Sequence, residues 1–339
     1  MKKRETKLLF YFFILSLSPL FSQYTEVINS NKPGFSESPY SVGKGVYQFE
    51  NNIFYNHLTD DTNSSKLNSL GFDLLFRTSF FLDKLELNTQ ISYQNDKLSY
   101  DLLPDNDSSI SGLNRFTIGA KYLLFEVEYE DKSKEVRSWR KRMAFDKKRL
   151  IPSIAIYTGL NTDFLSDDYK TGGMSAKIGL LLQNNLSDNF NIITNVFYDN
   201  IGNDFEEISL ILTATYNHDM RWSSFIESQT NFRDEQTDYN LGVGVAYLIN
   251  RNLQLNSSAR YLSENLSKGY YLGFGVSYRI DRHKDNFKLL DDEGNEINDT
   301  PINKYNKKQD GFFNRFFGIF TKKDDNTKTR KRVKKKKKN

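Results

Sequence analysis

Eleven polar side chains stand at alternate positions opposite apolar rows: Glu50, Asp73, Arg77, Glu86, Gln90, Arg115, Lys121, Lys177, Glu227, Arg260 and Arg279. Charges of both signs on one face can pair across a narrow interior or line an open, selective one. Covalent chemistry has fewer resources. Histidine occurs only at His57, His218 and His283, and no nucleophile, base and orienting group share a strand face. A lipid-facing His-x-Ser pair, which an outer-membrane phospholipase would need, is missing: the triplets read His57-Leu58-Thr59, His218-Asp219-Met220 and His283-Lys284-Asp285. Cysteine is absent, which removes disulfides, thiolate metal sites and thiol nucleophiles. No spacing supplies a metal or cofactor site. Gly242-Val243-Gly244 and Gly273-Phe274-Gly275 fall inside strand patterns, where inward glycine marks close packing rather than a nucleotide loop.

Strands must position these residues. Leu70, Phe72, Leu74, Phe76, Thr78 and Phe80 alternate with Gly71, Asp73, Leu75, Arg77 and Ser79. After an Asp83-Lys84 turn, Leu85, Leu87, Thr89, Ile91 and Tyr93 alternate with Glu86, Asn88, Gln90, Ser92 and Gln94. Successive strand side chains point to opposite faces, so this is a hairpin with one apolar and one polar face. The pattern recurs from Val46 to Ile280 and predicts twelve strands, hence an all-β, twelve-stranded antiparallel transmembrane barrel. Short links at Asp83-Lys84, 186–189, 218–221 and 250–252 contrast with polar loops at 95–114 and 161–173. In outer-membrane barrels the short turns are periplasmic, so both chain ends are expected there. The long basic connection 127–149 breaks this rule, and Val136, Trp139 and Met143 recur in it at helical spacing, predicting a short amphipathic helix.

Composition fits a membrane barrel. With Tyr 20, Phe 27 and Trp 2 the chain is rich in strand-favouring aromatics, and those near strand ends suit interfacial girdles. A mean hydropathy of -0.63 argues against helical spans, yet a barrel offers only every second residue to lipid. Lys2, Lys3, Arg4 and Lys7 precede an apolar run from Leu8 to Leu17 broken by Pro19, the order of a secretory signal peptide over residues 1–22. An irregular segment, 23–45, follows, then the barrel, 46–280, and a tail, 281–339. The net charges are +3 for the signal segment, -7 for 23–280 and +8 for the tail.

The irregular segment carries a resemblance. Asn31-Lys32-Pro33-Gly34-Phe35-Ser36-Glu37-Ser38-Pro39, followed by Gln48 and Glu50, resembles the Asp-Arg-Pro-Asp-x-Thr-Glu-Ser-Pro opening of a family of transporter-like outer-membrane barrels. That family is common in the Bacteroidetes and is labelled for a meta pathway of phenol degradation. The matching positions are Pro33, Glu37, Ser38, Pro39, Gln48 and Glu50; Asn31-Lys32, Gly34 and Ser36 depart from the motif. Ser133 to Trp139 is similar to a family insert. The resemblance, over residues 30–280, implies a channel or transporter for hydrophobic or aromatic small molecules. Glu37 and Lys32 are then expected near the periplasmic mouth, paired with lumen charges such as Arg77 or Arg279.

The tail combines an apolar helical face at Phe312, Phe313, Phe316, Phe317 and Phe320 with nine Lys/Arg between Lys328 and Lys338. In the periplasm such a segment suits anionic lipid or cell-wall polymer, and no nucleic acid is expected. Three readings therefore stand: a channel embedded in outer-membrane lipid, a structural barrel linked to lipid or wall by its tail, and a secreted soluble β protein. Twelve strands lie between the roughly 8 that leave a filled interior and the roughly 16 that leave an aqueous channel, so open and closed lumens are both allowed.

Overall fold

The computed structural model describes residues 27–283, apart from 61, 102–106, 128, 130–144, 204 and 235. The signal-like segment, the expected helix at Val136, Trp139 and Met143, the family-like insert and the basic tail lie outside the described residues. The chain divides into two units after Lys284, and the second falls wholly outside them.

Twelve strands form one closed antiparallel barrel in which each pairs with its neighbours in sequence and β1 closes on β12. They are β1 (Val46–Asp60), β2 (Ser65–Thr78), β3 (Leu85–Tyr100), β4 (Ser108–Phe125), β5 (Ser153–Asn161) and β6 (Ser175–Asn185). The circuit continues through β7 (Phe190–Ile201), β8 (Glu207–Asn217), β9 (Trp222–Phe232), β10 (Thr237–Asn250), β11 (Leu253–Glu264) and β12 (Ser267–Asp281). Closure pairs Val46 with Asp281 and Asp60 with Ser267, so no strand edge is left unpaired. We call the end that carries Val46 and Asp281 the terminal end, and the opposite one the loop end.

Burial is inverted relative to a water-soluble core. The largest fully buried side chains include Arg77, Lys121, Gln48, Glu50, Glu86 and Glu227, whereas Leu70 is 58% and Leu212 50% exposed. Charges inside and hydrocarbon outside is what a lipid solvent selects. Aromatic residues ring both ends of the apolar band. Trp222 packs on Tyr247 and Tyr47 on Phe80 at the terminal end, and Tyr55 meets Tyr270 towards the loop end. Inward glycines make room for large lumen side chains: a Cβ on Gly242 would come within 2.8 Å of the Arg260 guanidinium, and one on Gly71 would enter the Phe54 ring.

The strands are longer than expected at the loop end. Pairing of β3 with β4 continues to Leu98↔Ser108, past a bulge at Ser92/Tyr93, so the polar stretch read as a loop over 95–114 shrinks to 101–107. Roughly 9–11 residues per strand suffice to cross hydrocarbon. Beyond that band both faces are wet, alternation disappears from the sequence, and the ladder nevertheless persists. Loop asymmetry therefore weakens: 162–174 is long, but 61–64, 202–206, 233–236 and 265–266 are as short as the terminal-end turns. The first terminal-end link spans 79–84 rather than two residues, and places Phe80 outside β2; Ser79 there bridges to Lys44.

Candidate functional site in the barrel lumen

The N-terminal segment before β1 lies within the barrel and is held mainly by its own backbone. Glu50 Oε2 on β1 accepts from Asn31 N at 2.9 Å, Lys32 N at 3.0 Å and Ser30 Oγ at 2.8 Å. Glu227 on β9 accepts from Phe35 N at 3.1 Å and Ser36 N at 3.2 Å. Asn195 on β7 brackets Glu37, accepting from its N at 2.7 Å and donating to its O at 2.9 Å, and Glu86 on β3 accepts from Val42 N at 3.0 Å. Wall side chains take the plug carbonyls: Arg77 donates to Asn29 O, Lys121 to Ser38 O and Arg260 to Pro33 O. An irregular segment can be buried in this way only because its amides and carbonyls find partners.

Two compensated charge clusters underlie this plug. Arg77 lies 2.9 Å from Glu50 and 2.8 Å from Glu86, and Lys121 lies 3.1 Å from Glu86; these side chains are at most 1% exposed. Arg260 pairs with Glu227 at 2.5 Å, and its guanidinium stands 3.6 Å over the Phe35 ring. Each cluster sums to zero charge. Burial removes hydration from every member, so the lattice of opposite charges must supply what water no longer does.

The plug also presents two rings to the wall. Phe35 meets Tyr271 edge-on at 5.7 Å, and Tyr271 stacks on Phe54 at 5.4 Å. Phe35 and Tyr40 pack against an inward apolar patch of Leu123, Ala155, Tyr157, Leu181, Phe197 and Ile211. Beside the plug a cleft of ≈ 560 Å³ reaches the terminal end, lined by Ile193, Thr213, Phe225, Ala246 and Leu248 among others.

All eleven sequence-predicted residues stand on inward positions, in different surroundings. Glu50, Arg77, Glu86, Lys121, Glu227 and Arg260 form the plug-holding clusters. Lys177 pairs with Asp199 at 3.0 Å. Arg279 lies 3.5 Å from Asp281 and donates to Asn252 Oδ1. Asp73, Gln90 and Arg115 make no ion pair among the described residues; Asp73 and Arg115 flank Ser92 in register, and Arg115 is exposed to the lumen. Of the motif residues, Gln48 donates to Glu50 Oε1 and Asn29 O, Ser38 Oγ donates to Gln183, Pro33 offers its carbonyl to Arg260, and Pro39 is buried.

The expected pairing of Glu37 and Lys32 with Arg77 or Arg279 does not form. Arg77 is already saturated by Glu50 and Glu86, and the segment docks through main-chain groups; the Lys32 ammonium instead lies 5.8 Å from the Phe35 ring centre. Sequence reasoning also missed Asn195, Gln183, Phe35 and Tyr40 as docking residues. Asn195 and Gln183 did stand on polar rows, but a neutral amide carries no charge signal. His57 lies on the outer face with Asn68, and His283 near Lys44 O. His218 Nε2 comes within 2.8 Å of Ser224 Oγ, a pair the triplets did not reveal, and among the described residues no group holds its other ring nitrogen.

Residues 30–280 match the family model described as "Putative MetA-pathway of phenol degradation". The chain belongs to this family. The family match begins inside the plug and ends in β12, so plug and barrel together make up the family unit. No curated protein matches the sequence. Among solved structures, the COG4313 outer membrane channel from Pseudomonas putida F1 is similar at 11% identity, covering 75% of this chain and 100% of its own, with a TM-score of 0.49. A KdgM porin is similar at 11% identity over 67% and 98%, with a TM-score of 0.38. The CymD monoaromatic hydrocarbon channel is similar at 10% identity over 71% and 90%, with a TM-score of 0.39.

Proposed function

We propose that this chain is an outer-membrane channel for small hydrophobic or aromatic molecules, shut in the described state by its own N-terminal plug. The observation that carries this reading is what the plug covers. Its Phe35 and Tyr40 rings occupy an inward wall of Tyr157, Phe197, Leu181 and Ile211, next to Tyr271 and Phe54. Withdrawal of the plug would leave that wall to an aromatic solute, which stacks and packs in the same manner. The family's description, which names phenol degradation, supports the same substrate class. The terminal end is assigned to the periplasm, since a chain exported behind a signal-like start leaves both its ends on that side. The lumen charges are assigned the work of holding the plug rather than of sorting ions, because most of them are already paired.

The test uses the absence of native cysteine. Ser38 Oγ and Gln183 Oε1 lie 2.8 Å apart, so Ser38→Cys with Gln183→Cys, joined by a short bis-methanethiosulfonate linker that reductant cleaves, tethers the plug to β6. In planar bilayers, deletion of residues 28–42 should raise conductance well above that of the full chain. The tethered variant should be silent until reductant is added. Silence in the deletion variant as well would overturn the channel reading. It would favour a structural barrel, which the buried and compensated lumen charges also suit.

A further inference from the structure

Near the loop end, and away from the plug, a second set of inward side chains is uncompensated. Asp238 on β10 and Glu264 on β11 are directly opposed in register and share the lumen face. Like charges in that relation repel, and the repulsion is felt strongly when one member is buried; the Asp238 side chain is 1% exposed. Glu207 on β8 adds a third carboxylate. The cation facing the three is Arg233, half-exposed in the 233–236 turn, 2.7 Å from Glu207 and 3.3 Å from Asp238. Glu264 has no ion pair and no hydrogen bond among the described residues. The patch therefore carries a net charge of two negative units.

Its neutral members point the same way. Asn240 stands two residues along β10 from Asp238 on the same face, opposite Gln229 of β9. Asn240 is 8% exposed, yet its Oδ1 has no hydrogen-bond donor, and neither has Gln229 Oε1; Asp238 Oδ2 has only its 3.3 Å ion pair with Arg233. Several polar atoms nearby are engaged. Gln229 Nε2 and Ser209 Oγ both donate to Asn231 Oδ1, and Gln236 Nε2 donates to Asp238 Oδ1. The Asn240 and Gln229 carbonyl oxygens thus face each other across β9 and β10, on the same wall as the two carboxylates. No three acidic or histidine side chains converge at metal-binding distance among the described residues. The charge and the oxygen set are those of two carboxylates with two amide carbonyls.

From this we infer that Asp238, Glu264, Asn240 and Gln229 form a binding site for a hard divalent cation of the calcium class. Hard cations take carboxylate and amide oxygens at roughly 2.3–2.6 Å in flexible arrangements and retain water at the remaining positions. Two positive units neutralise the patch, and the ion bridges β10 to β11 where their side chains otherwise repel. The site is independent of conduction, so it stands or falls apart from the channel reading.

Isothermal titration of the full-length, detergent-solubilised chain with CaCl2, after removal of divalent ions by EDTA, tests this. One saturable site is expected in the unaltered protein, weakened at least tenfold in Asp238→Asn/Glu264→Gln and measurably in Asn240→Ala. Calcium should also raise the melting temperature of the unaltered protein but not of the double variant. Removing two opposed carboxylates relieves repulsion, so the double variant should fold, and heat-modifiable gel migration verifies that it does. Absence of saturable calcium binding would overturn the assignment. So would unchanged binding in the double variant, which would move the ion to the aspartates of the loops.

Discussion

Glu227→Gln isolates the part that carboxylate charge plays in closing the lumen. Glu227 accepts from two plug amides, Phe35 N and Ser36 N, from Thr213 Oγ1 at 2.8 Å, and from Arg260. A hydrogen bond to a charged acceptor contributes roughly 1.5–3 kcal/mol, against roughly 0.5–1.5 kcal/mol for a neutral pair. The substitution therefore removes about 1 kcal/mol per plug amide, about 2 kcal/mol in all. At about 1.4 kcal/mol per factor of ten, the ratio of docked to released plug falls about 30-fold. The stranded cation acts in the same direction. A buried pair that loses one member costs roughly 3–5 kcal/mol, and Arg260 regains water only if the segment above it, with Phe35 at 3.6 Å, moves away. Single-channel recording reads the open fraction directly. Glu227→Gln combined with Arg260→Met, which removes the stranded charge, should return part of the closed population. An unchanged open fraction in a correctly folded Glu227→Gln barrel would refute the idea that main-chain docking onto carboxylates closes the lumen.

Two further tests address the wall and a turn. Leu212 projects outward midway along β8, and Leu212→Arg should destabilise the barrel by roughly 2–4 kcal/mol, read as a loss of the folded band on semi-native gels and of its denaturation midpoint; an unchanged midpoint would mean that this row does not face hydrocarbon. In the 218–221 turn, the main-chain N–H groups of Arg221 and Trp222 hold the Asp219 carboxyl below its usual range. A depressed pKa gives order that is present above the unfolded value, about 4, and is lost as pH falls through the lower folded value. The protection factor of the Trp222 amide, its exchange relative to the unstructured rate at the same pH, should therefore fall in acid, and Asp219→Asn should abolish that fall.

The barrel was legible because a lipid-facing wall writes itself into alternation: Leu70, Phe72, Leu74 and Phe76 against Asp73 and Arg77 left one consistent assignment for each face. Legibility ended where the solvent became the same on both sides. Residues 94–100 and 108–114 pair as strands, yet their Asn, Asp and Ser content reads as loop, because wet faces impose no alternation. The inward position of Glu50, Glu86 and Glu227 was likewise visible from parity. What they hold was not, since their partners are amides of Asn31, Lys32, Phe35, Ser36 and Val42, and every residue but proline carries the same amide. The sequence offered only side chains to match, and so pointed to Glu37 and Lys32 as pairing residues. The resemblance at Pro33, Glu37, Ser38 and Pro39 marked the segment itself, while its docking on Asn195 and Gln183 required the closed barrel to be seen.

The contacts of the plug span long stretches of chain: 145 residues from Ser38 to Gln183, 158 from Glu37 to Asn195, 192 from Phe35 to Glu227 and 227 from Pro33 to Arg260. Contacts at such separations form slowly, because loop closure must precede any gain from them. The docking partners include residues of β1, β2, β3, β4, β6, β7, β9 and β11, and they surround one space only once the circuit of strands is complete. The residues that a ribosome makes early are thus among the last to find their place. Glu50 can meet the Asn31 and Lys32 amides locally, 19 and 18 residues away, whereas Glu227, 192 residues from Phe35, must wait for the later strands. Until that segment arrives, water must occupy the place it will take beside Glu227 and Arg260.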